Sequence, residues 1–219
     1  MAFILNIETA TKNCSVAIAQ DGIVSALKEY AGEGYAHAEK LHVFIEEVLK
    51  ETGITYADLS AVAISMGPGS YTGLRIGVSA AKGLCYALNI PLIAIDTLEL
   101  LARKIEVAEG IIVPMIDARR MEAYTAVFNT DYSKARETKA EIIDEDFFAG
   151  QQGSVHLIGD GAAKCATVLT DDKFVYHPEV LYPSAGEMAA LSYDAYKKSD
   201  TVDVAYFEPF YLKDFIAGK

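Results

Sequence analysis

The chain has 219 residues, 52% of them hydrophobic and 23% charged, which excludes a disordered protein and leaves room for one large domain or two small ones. Its 19 Lys and Arg stand against 31 Asp and Glu, and the formal charge of −12 excludes a broad basic face that would bind nucleic acid unaided. Cys14, Cys85 and Cys165 lie far apart with no CxxC pair, no basic leader precedes the first apolar run, and no apolar stretch reaches the roughly 18 residues of a membrane span. A cytoplasmic protein with reduced thiols and no membrane association is expected.

Strands are predicted at 2–8, 14–20 and 23–30, the last two joined by Asp21-Gly22, a pair that accepts the positive φ of a hairpin turn. From 36 to 52, Leu41, Ile45, Val48 and Leu49 recur at helical spacing with charged residues between them, and Gly53 ends the run. A buried strand at 61–66 empties into Gly67-Pro-Gly-Ser-Tyr-Thr-Gly73, followed by a helix at 74–88, a strand at 91–95 and a helix capped by Thr97 that runs to 107. Hairpins first and crossovers second imply a mixed sheet with helices packed on it. The second half reads as a hairpin at 111–117 and 121–128, a polar loop at 130–138, a strand at 154–159, a short helix at 160–168 and a longer one at 184–198. It resembles a shortened variation on the first half, with a boundary expected near 105, giving domains 1–105 and 106–219.

The glycine-rich turn 67–73 exposes backbone N–H groups at a helix start, as phosphate and carboxylate sites do, although it is neither a Walker loop nor Gly-x-Gly-x-x-Gly. Its alternative role is a tight turn in which Gly67, Gly69 and Gly73 satisfy sterics alone. Gly73, Gly77 and Ala81 share one helix face that admits another backbone, and spacing leaves open whether that neighbour is this chain or a partner. At the end of the first strand Glu8 and Thr9 offer a carboxylate and a hydroxyl for a metal-bound nucleotide, or serve the turn. His37 and His42 are five apart, about 140° around a helix, and do not form a metal pair; His156 and His177 are isolated in sequence. Ser70 lacks the Gly-x-Ser-x-Gly elbow of a nucleophile.

Together with Ile7-Glu-Thr-Ala10, His37-Ala-Glu-Lys-Leu41, Pro91-Leu-Ile-Ala-Ile-Asp-Thr-Leu98 and Asp117-Ala-Arg-Arg-Met-Glu-Ala-Tyr124, the stretch 67–77 closely resembles the TsaB family. That family supplies the dimerization subunit of the bacterial complex that makes threonylcarbamoyladenosine in tRNA. The resemblance implies an α/β fold of two ribonuclease-H-like, actin-like ATPase domains, each a mixed sheet with helices, the second reduced. It maps Glu8 and Thr9, and Gly67, Gly69, Ser70, Thr72 and Gly73, onto the superfamily's two phosphate loops, as a remnant. The catalytic paralogue, TsaD, carries a His-x-x-x-His metal pair where this chain reads Thr97-Leu-Glu-Leu-Leu101, so no metal and no catalytic residue is expected here.

The expected function is therefore a non-catalytic partner of a metal-bearing TsaD-like subunit, with a TsaE-like P-loop ATPase as third component and tRNA bound only within the complex. No cofactor is expected on this chain alone, with ATP or ADP at a subunit junction. The resemblance also implies pairing through the two N-terminal helices, centred on His37, Leu41, Ile45, Leu74, Arg75, Gly77, Val78 and Ala81, with a homodimer when the partner is missing. The alternatives are an ATP-dependent small-molecule kinase using Glu8 and the 67–73 turn, and a metal-free glycoprotease-like hydrolase.

Overall fold

The structure, a computed structural model, describes residues 1–32, 34 and 36–213. The chain forms two compact units: Met1–Thr97 with Ser184–Phe210, and Leu98–Pro183 with the described chain end from Tyr211. The break thus falls after Thr97 rather than near 105, and the expected domain 106–219 loses its last helix to the first unit.

In the first unit β1 (Phe3–Glu8), β2 (Cys14–Gln20) and β3 (Ile23–Tyr30) form an antiparallel meander. Asp21 and Gly22 turn the β2–β3 hairpin with φ of 50° and 87°, as the Asp-Gly pair predicts. Next come α1 (His37–Thr52), a 3₁₀ turn at Tyr56–Asp58, β4 (Leu59–Gly67), α2 (Tyr71–Leu88) and β5 (Leu92–Asp96). The strand order is β3-β2-β1-β4-β5, with β4 parallel to both β1 and β5. Strand alternation divides the β1 side chains between two faces. Leu5 and Ile7 join Val16, Ile18, Val62 and Ile64 in one cluster with Leu41, Ile45 and Val48 of α1 and Val78, Ala81 and Cys85 of α2. The α2 helix starts at Tyr71, earlier than its apolar pattern, because the Ser70 hydroxyl accepts the Gly73 N–H as an N-cap.

The second unit contains α3 from Leu98 onward (Thr97–Ala102), β6 (Ile111–Asp117), β7 (Glu122–Phe128), β8 (Lys134–Ile142), β9 (Val155–Ile158), α4 (Ala162–Cys165) and β10 (Phe174–Tyr176). Its order is β10-β9-β6-β7-β8, antiparallel at β6–β7–β8 and parallel at β6–β9–β10, which repeats the first sheet. Part of the expected polar loop 130–138 is strand: β8 is a sheet edge whose outward positions meet solvent, so its composition is polar although its backbone is paired. The helices expected to run to 107 and 168 stop at Ala102 and Cys165. One sheet face packs Val113, Met115, Val155 and Leu157 on Phe148, Ala162 and Cys165, and the other packs Ile112, Ile116, Phe128 and Ile158 on Leu98 and Leu101.

The chain then returns to the first unit through α5 (Ala185–Lys198), capped by Ser184, whose hydroxyl accepts the Gly186 N–H. This helix packs on β1, β2 and β3, and the Ser15 hydroxyl accepts the Ala185 N–H at 3.0 Å. A helix late in sequence covers the second face of the first sheet, and no local pattern announces so distant a pairing.

Candidate functional site

The sequence places its chemistry at one end of the first sheet, where the β1–β2 turn meets the β4–α2 turn. There the two loops are fastened to each other. The Ser70 N–H donates to the Ala10 carbonyl at 2.6 Å, and the Thr9 hydroxyl donates to the Gly73 carbonyl at 2.8 Å. The Gly67 N–H donates to the Thr97 hydroxyl at 3.0 Å, and the Gly73 N–H to Ser70 Oγ at 3.3 Å. Three N–H groups that a phosphate loop would offer to an anion are thus bound by this unit's own oxygens.

The glycines exist for this closure. A Cβ on Gly69 would lie 2.3 Å from the Ala10 carbonyl oxygen, one on Gly73 would lie 2.1 Å from that of Thr9, and one on Gly77 would lie 2.2 Å from Thr9 Oγ1. The close neighbour of the Gly73–Gly77–Ala81 face is therefore the chain's own β1–β2 turn, which settles the alternative the spacing left open. Gly67, at φ 113°, is covered by the Phe210 carbonyl, and the Phe210 N–H donates to Met66 at 2.7 Å. Thr72 is exposed on the first turn of α2.

Glu8 is fully buried. One oxygen accepts the Ala10 N–H at 2.6 Å, and the other is buried without a well-formed hydrogen bond. Glu8 occupies the β1 face turned away from α1 and α2, the face that α5 covers. Burial raises its pKa to about 7, against the lowering effects of the Ala10 N–H and the Ser65 hydroxyl, with a smaller upward push from the charge of Glu187 on the first turn of α5. Fully buried beside Ser65 and the like charge of Glu187, the carboxyl presents no oxygen to solvent. Glu187 escaped the sequence reading because its partner lies far away in sequence.

The expected partner-interface residues need correction. His37, Leu41, Ile45, Leu74, Gly77, Val78 and Ala81 are all buried within the first unit, and only Arg75 is exposed. The His37 ring nitrogen Nε2 lies 2.8 Å from the Thr11 carbonyl, and burial lowers the pKa of the ring. The helical period was read correctly but assigned to the wrong neighbour, since one apolar stripe serves a sheet and a partner equally well in a sequence. What the two helices expose is different: α1 presents Val43 among Glu39, His42, Glu46, Glu47 and Lys50, and α2 presents Thr72, Arg75, Ser79, Gly83, Tyr86 and Ala87, with Ile76 and Ala80 half-buried. A Cβ on Gly83 would meet nothing within 4 Å.

At the positions that would carry a histidine pair, Thr97 is buried on Gly67, and Leu101 is buried in the second unit. Among the described residues no three His, Cys, Asp or Glu are grouped to hold a metal ion, and no helix is long and apolar enough to cross a membrane. His156 and His177, isolated in sequence, are brought within 3.1 Å of each other by β9 and β10, with Glu179 3.6 Å from His177 Nδ1.

A family model described as TsaD, tRNA N6-adenosine threonylcarbamoyltransferase, matches residues 33–154. The tRNA threonylcarbamoyladenosine biosynthesis protein TsaB of Escherichia coli is 32% identical over 99% of this chain and 96% of its own length. Its Haemophilus influenzae counterpart is 28% identical over 99% and 95%. The solved structure of YeaZ from Pseudomonas aeruginosa, 24% identical, superposes with a TM-score of 0.85 over 97% of this chain and 100% of that one, and its likeness shows the fold.

Proposed function

The chain belongs to the TsaB family of tRNA threonylcarbamoyladenosine biosynthesis proteins, and on that premise we propose that it is the non-catalytic subunit of a threonylcarbamoyltransferase. It acts in the cytoplasm by binding a metal-bearing TsaD-like subunit, which transfers the threonylcarbamoyl group from its adenylate to N6 of the adenosine beside the anticodon. A TsaE-like P-loop ATPase completes the assembly, tRNA is bound only by the whole, and the isolated chain self-associates. The observation that carries this reading is the closure of the phosphate loops, in which the Ser70 N–H is spent on the Ala10 carbonyl at 2.6 Å. A subunit that turned over ATP would keep those donors open. ATP or ADP, where it binds, is held at a subunit junction.

The exposed side of α1 and α2 supports the pairing. Ser79, Gly83 and Ala87 leave α2 flat enough for a second helix, and Val43 and Tyr86 flank it with apolar area. The test is reconstitution. This chain, a TsaD-like protein and a TsaE-like ATPase together form threonylcarbamoyladenosine in a tRNA transcript, measured by mass spectrometry of the digested nucleosides, whereas this chain alone forms none. Gly83→Arg leaves the melting temperature within a few degrees and weakens TsaD-like binding at least tenfold by calorimetry. Modification by the chain alone, or undiminished binding by Gly83→Arg, counts against the reading or against this face respectively.

A further inference from the structure

The hairpin between β6 and β7 carries a feature that the partner-subunit reading does not use. Arg119 and Arg120, consecutive at its tip, both adopt positive φ, 72° and 51°, and both are exposed. Backbone of that hand is the province of Gly, Asn and Asp, and two adjacent arginines in it are unfavourable unless the side chains are needed there. The turn is held rigidly: the Ala118 N–H donates to the Glu122 carbonyl and the Glu122 N–H to the Arg119 carbonyl, each at 3.1 Å, and Asp117 Oδ1 accepts the Arg119 N–H at 3.0 Å.

The two acids that flank the turn are already matched, and Asp160 accepts the Asp117 N–H at 2.9 Å. Asp117 is paired with Lys164, which also donates to the Glu122 carbonyl at 2.7 Å, and the Glu122 carboxylate is paired with Lys213. Neither guanidinium forms a hydrogen bond or ion pair among the described residues. Two exposed positive charges therefore remain unpaired among the described residues of a chain of net charge −12. We propose that the Arg119–Arg120 tip is a contact for the phosphodiester backbone of the RNA substrate. This assignment rests on the partner-subunit reading and adds to it a point at which this chain touches RNA.

The chemistry favours RNA over an acidic protein. A guanidinium fork matches the non-bridging oxygens of a phosphate, and two forks one residue apart on a rigid turn suit a regular line of phosphates. A chain this acidic repels RNA elsewhere, so any contact must come from a local, unneutralised cationic element.

The test uses this chain paired with a TsaD-like subunit and a fluorescently labelled tRNA transcript, with affinity read by anisotropy across a salt series. The double variant Arg119→Gly/Arg120→Gly removes both charges while suiting the backbone, so the fold is kept, and Arg119→Lys/Arg120→Lys keeps the charges. We expect the glycine variant to bind the TsaD-like subunit normally but tRNA roughly tenfold more weakly, with a log–log salt slope shallower by about 1.5, as loss of two phosphate contacts requires. The lysine variant retains the slope. A glycine variant that pairs normally and binds tRNA with unchanged affinity and slope overturns the proposal alone. One that loses the TsaD-like subunit marks the tip as a protein contact and also overturns it. A wild-type chain that never pairs overturns the partner-subunit reading and this proposal with it.

Discussion

The two units share one sheet order and differ in what is laid on it. β3-β2-β1-β4-β5 in the first is matched by β8-β7-β6-β9-β10 in the second, with the same antiparallel and parallel pairings. The 18-residue α2 that follows β4 has as its counterpart after β9 only the four-residue α4. The ends of the first strands differ as sharply. Glu8, closing β1, is buried on the sheet face that α5 covers, whereas Asp117, closing β6, is exposed beside a hairpin that presents two arginines to solvent. One sheet order therefore ends differently in the two units: the first has its strand end buried, and the second has turned its own outward.

The largest expected effect breaks the comparison at its helical layer. Val78 is buried in the cluster that joins α2 to β1, β2 and β4. A Val78→Glu chain buries a carboxylate with no partner, at a cost on the order of 4 kcal/mol or more, and unfolds at room temperature or melts far below the parent. A cooperative, parent-like melt read by circular dichroism, joined to loss of TsaD-like binding, would restore Val78 to the interface.

The loop closure is tested next. Gly73→Ala drives a methyl into the Thr9 carbonyl, a backbone atom that cannot rotate away, and costs roughly 3 kcal/mol, or about 10 °C in melting temperature. Gly83→Ala, on the open side of the same helix, stabilises it by up to about 1 kcal/mol. Equal effects from the two, in either direction, would mean that the loops are not held against each other in solution.

These positions also mark how far the sequence could be read. The strand and helix order of the first unit was legible because β1, β2, α1 and β4 carry local periodicities, and the Asp21-Gly22 turn has a chemistry of its own. The glycine turn was legible as a place of close approach, yet not as a closed one, because closure depends on Ala10 and Thr9, some 60 residues earlier, as the Thr9–Gly73 separation of 64 shows. The edge strand β8 and the short β10 were missed because neither presents a continuous apolar run. The cover over Glu8 was invisible, since α5 arrives after the whole second unit has intervened.

Glu8 supplies a pH-dependent version of the contrast. Its folded pKa of about 7 exceeds the ordinary 4.5, so between those values the folded chain holds a proton that the unfolded chain has released. Stability is therefore greatest below pH 4.5 on this account, declines as pH rises toward 7 and levels off above it, by an amount on the order of 3 kcal/mol. Glu8→Gln keeps an oxygen for the Ala10 N–H and removes the titration. The variant is expected to match the parent at pH 4.5 and to melt several degrees higher at pH 8. Parallel melting curves for the two chains across that range would show Glu8 to be ionised without cost, and the strand end to be open after all. Asp117→Asn, at the matching exposed position, removes a solvent-facing pair with Lys164 and changes stability by less than about 1 kcal/mol at either pH.

The smallest effect concerns the hairpin tip, where stability and function are expected to part. Arg119 and Arg120 sit at φ of 72° and 51°, a region that costs a side chain about 1 kcal/mol or more, while glycine gives back part of that relief through its greater freedom in the unfolded chain. Replacing both by Gly should therefore stabilise the isolated chain by about 1 kcal/mol, a rise of roughly 2–4 °C for a protein of this size. The gain distinguishes two origins for the arginines. If the guanidiniums held the hairpin together, their removal would lower the melting temperature, and the unfavourable backbone would be repaid within the fold. If they serve a ligand, the isolated chain is better off without them, because the contact that offsets the strain forms only with RNA. A measured decrease in the melting temperature of Arg119→Gly/Arg120→Gly would assign the pair to folding and remove the reason for treating the second unit's strand end as an outward-facing site.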